Sequence, residues 1–128
     1  MNVAEVAITA PAEPACTPVA LFRAMADDTR LRALALMAGE GELCVCELTH
    51  VLEASQPKVS RHLAILRKVG LVSDRRDRTW IYYRLSADLP VWAREALNAV
   101  VRGNADTLPF SGDRKRLATM PDRPGRCC

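Results

Sequence analysis

Between Ser55 and Gly70 the chain spells out one amphipathic helix together with its start and its stop. Ser55 is of the type that caps helix N-termini, and Gly70 ends the pattern. Val59, Leu63 and Leu66 fall at i, i+4 and i+7, one stripe turned toward a core. Gln56, Pro57, Ser60, Arg61, Ala64 and Lys68 lie off that stripe and project outward. Small and hydrogen-bonding residues early on the outer face suit a helix that enters a DNA major groove by its N-terminal end.

The flanking segments complete a helix-turn-helix with a hairpin. Pro18 suits the first position of a short helix through Met25, with Leu21, Phe22 and Met25 apolar. Asp28 is the expected N-cap of a second helix, Thr29 to about Ala38, carrying Leu31, Leu34, Ala35 and Ala38 on one face and stopped by Gly39 and Gly41. A third helix is expected from about Cys46 to Leu52, with a turn at Glu53–Ala54. After Gly70, Leu71–Ser73 and Thr79–Leu85 read as two strands joined by the charged turn Asp74–Arg78, a basic wing. Alternation along the second strand places Trp80 and Tyr82 in the core. Pro90 begins a last helix to about Arg102, with Val91, Ala96, Leu97, Val100 and Val101 apolar. Residues 1–17 form a flexible extension rich in Ala and Pro. Residues 18–105 form the domain, and 106–128 form a polar, mostly irregular tail that ends in Cys127-Cys128. The expected fold is therefore mainly α with a small β-hairpin.

Charge is placed unevenly. Residues 1–54 hold 3 basic and 8 acidic side chains, whereas residues 55–84 hold 8 basic and 2 acidic ones. A basic block confined to the proposed helix and wing marks a polyanion-binding face, not a generally basic surface. No apolar run of membrane-spanning length and no signal peptide occur, so a cytoplasmic protein with no membrane partner is expected. In a reducing compartment, 5 cysteines in 128 residues point to metal or redox chemistry over structural disulfides. Neither a catalytic His–carboxylate set nor a cofactor loop accompanies them, which argues against an enzyme and against a permanent cofactor.

Cys44 and Cys46 stand at the head of the third helix, directly before the reading helix. Thiolates select soft ions, and trivalent arsenic prefers three of them in a trigonal pyramid. Within a helix, residues i and i+2 diverge by ~200°, whereas in extended or irregular backbone they can point the same way. Chelation by both sulfurs would then require the start of that helix to unwind or bend.

Four segments together resemble the arsenic-repressor (ArsR/SmtB) family of winged helix-turn-helix regulators, over about residues 18–105. They are Ala26-Asp27-Asp28-Thr29-Arg30-Leu31-Arg32, Glu42-Leu43-Cys44-Val45-Cys46-Glu47-Leu48, Ser55 through Leu63, and Gly70-Leu71-Val72 followed by Trp80 through Leu85. The resemblance implies a homodimer built from the first and last helices, repressing a promoter until an effector ion releases it from operator DNA. Leu-Cys-Val-Cys-Glu-Leu is similar to the family's thiol metal box, in the branch that senses As(III) or Sb(III), with Cd(II) or Pb(II) as alternatives. One form of the family has a third cysteine three residues after the second; here that position is Thr49. Cys16, Cys127 and Cys128 are the candidates for the third ligand. Last-helix histidines, which zinc-sensing relatives use, are missing from residues 88–103. His50 shares a face with Cys46, and His62 flanks the reading helix.

On the DNA side, Gln56 and Arg61 suit adenine and guanine edges, and Ser60 suits a base or a phosphate. Lys58 and Lys68 suit phosphates, and Arg75, Arg76 and Arg78 at the wing suit the backbone or an adjacent minor groove. A thiol-redox regulator in which Cys44 and Cys46 form a strained disulfide is the alternative from a different class.

Overall fold

The computed structural model describes residues 16–123. Its elements run α1 Pro18–Met25, α2 Asp28–Glu40, β1 Glu42–Cys44, α3 Val45–Leu52, α4 Gln56–Val69, β2 Val72–Asp77, β3 Trp80–Leu85, α5 Val91–Gly103 and α6 Phe110–Ala118. The strands make one antiparallel sheet of order β1-β3-β2.

Capping chemistry sets most of the helix starts. Thr17 accepts the Ala20 N–H (3.1 Å) and Pro18 occupies the first turn of α1. Asp27 caps α2 by accepting the Arg30 N–H (3.0 Å), one residue before the expected Asp28. Ser55 Oγ accepts the Lys58 N–H (3.3 Å) at the start of α4. That helix ends where Gly70 takes φ 89°, a conformation L side chains resist. Val59, Leu63 and Leu66 are the buried residues of α4, the stripe its spacing predicts. They join Leu21, Leu34, Leu48, Val51, Leu71 and Leu97 in a largely aliphatic core.

Besides the shifted cap of α2 and a β2 that runs on to Asp77 through most of the expected turn Asp74–Arg78, the structure departs from the sequence expectations in three places. The first is β1, a strand too short to show a period of two. Its Leu43 pairs with Tyr83 and its Cys44 with Tyr82, so the wing sheet has three strands and is anchored beside the thiols. The second is Trp80, which is 42% exposed, whereas Tyr82 and Tyr83 are both buried. Tyr83 belongs to the core, and the Tyr82 ring is covered by the Arg75 guanidinium at 4.6 Å. Tyr82 and Tyr83 point to opposite faces of β3 and both are covered where β1 pairs with it, whereas Trp80 lies beyond the end of β1.

The third departure is helix α6, where irregular backbone is expected. Ion pairs hold it more than an apolar stripe does. Buried Asp113 accepts Arg32 Nε (2.9 Å) and Nη2 (2.7 Å) from α2, and Arg116 Nη2 (3.0 Å) from its own helix. Leu117 alone of the α6 apolar side chains is fully buried. Polar content therefore hid an ordered element. Among the described residues no helix is long and apolar enough to cross a membrane.

Candidate effector site and nucleic-acid interface

Cys44 is the N-cap of α3, not a residue inside it. Its backbone is extended (φ −83°, ψ 155°), and Cys46 lies in the first turn. Cys44 thus stands in extended backbone just before the helix, so the ~200° divergence within a helix does not apply to the pair. Cys44 Sγ accepts the Cys46 N–H at 3.2 Å. Burial, then the hydrogen bond and proximity of Cys44 and the nearby Glu47 charge, push the Cys46 thiol up to about 12. At neutral pH Cys46 is therefore a protonated thiol.

Glu47 is a partner that reasoning about the cysteines missed. It is 1% exposed, and its Oε1 accepts the Cys44 N–H at 2.8 Å. The two residues form a capping box in which a thiol replaces the usual hydroxyl. The signal was present as Cys44-x-x-Glu47, an acid three residues past the cap. Arg123 Nε donates to Glu47 Oε2 at 2.6 Å, and its Nη2 to Glu40 at 2.9 Å. No local pattern joins residues 76 apart.

The thiols open on a cleft of about 240 Å³, lined also by Val45, Thr49, Gln56, Thr79, Trp80 and Ile81. One wall is thus the first turn of α3. The other is the first residue of α4 together with the turn end of the wing. Thr49 sits in the cleft where a third ligand would be useful, and its hydroxyl donates to the Cys46 carbonyl (2.9 Å).

The other candidate ligands are placed differently. Cys16 is buried in the core, its thiol directed to the Thr17 carbonyl (3.8 Å), and burial pushes its pKa up. Among the described residues no three His, Cys, Asp or Glu side chains gather as a metal site, so Cys16 is not collected with Cys44 and Cys46. Cys127 and Cys128 lie outside the described residues. His50 is exposed at the end of α3. His62 packs between Arg30 (3.2 Å) and Asp27 (3.8 Å), a bridge from α4 to α2, while Arg30 also donates to the Ala24 carbonyl of α1 (2.9 Å).

On the outer face of α4, Gln56, Lys58, Ser60, Arg61 and Lys68 are all exposed. Ser55 is exposed too, with its hydroxyl engaged as the cap. Arg76 and Arg78 stand exposed on the wing. Arg75 is occupied: it donates to both Glu42 oxygens (2.8 and 2.7 Å) and covers Tyr82. That bidentate pair ties β2 to β1 across β3, so contact of Arg75 with DNA competes with the sheet's own ion pair.

A helix-turn-helix, a three-stranded wing and a basic outer face on the second helix define a winged helix-turn-helix transcription regulator. Residues 27–74 match the family described as bacterial regulatory protein, arsR family. The chain is 55% identical to the arsenic resistance transcriptional regulator ArsR1 of Pseudomonas putida, covering 84% of this chain and 83% of that protein. It is 43% identical to the arsenical resistance operon repressor of Escherichia coli K12, over 80% of this chain and 96% of the relative. Among solved structures, HlyU from Vibrio cholerae is similar with a TM-score of 0.60 and 37% identity, over 66% of this chain and 87% of that one. This chain belongs to the ArsR family of transcriptional regulators, a non-enzymatic family.

Proposed function

We propose that this chain is a homodimeric repressor of an arsenic-resistance operon, released from its operator when As(III) or Sb(III) binds Cys44 and Cys46. The observation that carries this is the shared cleft. Two cysteines, joined through the Cys46 N–H to Cys44 Sγ bond, line it together with Gln56 of the reading helix. A soft ion on the thiols sits against the DNA-reading element, with no long pathway to invoke. The relatives' arsenic-resistance roles point to the same ion class.

Arsenous acid condenses with thiols: each S–H proton leaves with one hydroxide as water while an As–S bond forms. No prior deprotonation is needed, which suits a protonated Cys46. The ion takes the sulfur lone pair that caps α3, so bound ion and intact cap compete. Ion and operator then weaken each other reciprocally. Cys127 or Cys128 supplies the third sulfur. They stand four and five residues after Arg123, which is held against Glu47, the acceptor of the Cys44 N–H.

The DNA face consists of Gln56, Ser60 and Arg61 toward base edges, with Lys58, Lys68, Arg76 and Arg78 on phosphates. Ser55 acts by fixing the helix start. The dimer forms through α1 and α5, whose Val19 (60%), Phe22 (60%), Val91 (72%) and Trp92 (41%) are exposed apolar side chains.

The test is operator binding by fluorescence anisotropy at fixed salt under reducing conditions, titrated separately with arsenite, antimonite, cadmium and lead. Release by arsenite or antimonite, lost in Cys44→Ser, is expected. Release by cadmium or lead alone would assign the divalent branch, and release by peroxide alone would assign a redox switch.

A further inference from the structure

The C-terminal segment grips the thiol helix at both ends. At the C-terminal end of α3, Arg116 Nε donates to the Val51 carbonyl (3.0 Å), one of the last carbonyls, which have no partner inside the helix. At the N-terminal end, Arg123 Nε holds Glu47, the residue that receives the Cys44 N–H. The same segment is fixed to α2. Asp113 takes Arg32 in a two-point ion pair, and Arg123 reaches Glu40 at the end of α2. The carboxylates at the centre of these contacts, Asp113 and Glu47, are each 1% exposed. Charged groups so deeply buried persist only when fully paired, so the segment cannot detach piecemeal.

A short helix carrying a two-sulfur ligand has two ways to respond to an ion. It frays at its first turn and absorbs the distortion locally, or it moves as a unit and displaces what it packs against. Fraying is the cheaper route for an eight-residue helix unless both ends are held. Here both ends are held, and α3 packs against α4.

We infer that residues 110–123 are a brace, with Arg123 and Arg116 as positioning residues, that makes α3 rigid so that ion binding is passed to the reading helix instead of being lost in local fraying. The inference rests on the effector reading above. Arg123 touches neither ion nor DNA in this account. It sets how much of the ion's effect reaches the operator.

The experiment compares wild type, Arg123→Gln and Arg123→Lys as full-length chains. Operator dissociation constants are measured without ion and with saturating arsenite. Arsenite uptake is followed separately by equilibrium dialysis. For Arg123→Gln, ion-free operator affinity should stay within about twofold of wild type, and the ion-bound to ion-free ratio should shrink at least about fivefold. Uptake should remain stoichiometric. Arg123→Lys, which keeps a cation for Glu47, should recover most of the ratio. Amide hydrogen exchange at Val45–Glu47 with arsenite bound should be faster in Arg123→Gln than in wild type, the signature of local fraying. An unchanged ratio would overturn the brace. So would parallel loss of ion-free operator binding and thermal stability that lysine does not rescue, since that is a plain folding role. A wild-type ratio of one would remove the effector reading and the brace with it, whereas a large wild-type ratio retained in Arg123→Gln would remove the brace alone.

Discussion

At the residue scale the decisive side chain is Cys44, which does two jobs with one sulfur. It caps α3 and it belongs to the thiol pair. Substitutions separate the two. Cys44→Ser keeps an acceptor for the cap, so thermal stability should stay close to wild type while arsenite response is lost. Cys44→Ala removes both and should cost about 0.5–2 kcal/mol besides, read by chemical denaturation. Cys46 gives a pH prediction. Its thiol is raised from the usual 9.0 to about 12, so the folded protein holds that proton more tightly than the unfolded chain does. The resulting stabilisation is complete below pH 9 and is lost as pH rises from 9 toward 12. Alkylation of Cys46 by iodoacetamide should accordingly be slow at pH 8 in folded protein and speed up on denaturation. Fast alkylation in the folded state would contradict the assigned environment.

Elements show which segments announce themselves. α4 was legible because its cap, stripe and stop all lie within sixteen residues, and its buried residues are the stripe. Leu63→Ala at its centre should destabilise the fold by about 2–5 kcal/mol by denaturant titration. α6 was illegible because ion pairs to residues 81 positions away hold it, and no local periodicity encodes them. Asp113→Ala should leave Arg32, whose side chain is 15% exposed, beside an empty site. A loss of about 3–5 kcal/mol is expected, as for breaking other buried pairs. A change below ~0.5 kcal/mol would mean that α6 adds nothing to the folded state.

For the whole molecule, the basic block of residues 55–84 sits on one helix and the wing, while the exposed apolar residues Val19, Phe22, Val91 and Trp92 lie on α1 and α5. The two surfaces suit different partners, DNA for one and a second copy for the other. Phe22→Asp should therefore yield a monomer by analytical ultracentrifugation and lose cooperative operator binding, with the fold intact by circular dichroism. Non-specific DNA binding should persist and weaken steeply with salt, because phosphate contacts do not need the dimer. A Phe22→Asp protein that sediments as wild type would overturn α1 as the proposed dimer surface.

Sequence alone determined the helix-turn-helix, the wing's location, the thiol pair and the exposed polar side of α4. Each is a local pattern of caps, periods and charge within about twenty residues. Tertiary structure decided what long-range contacts decide. It set Cys44 as a cap and not a helical residue, because β1 pairs with β3 and keeps the backbone extended up to that point. It buried Glu47 under Arg123, brought Gln56 to the thiol cleft and ordered α6. Those outcomes rest on ion pairs and strand pairing between distant residues, whose geometry no short window of sequence contains.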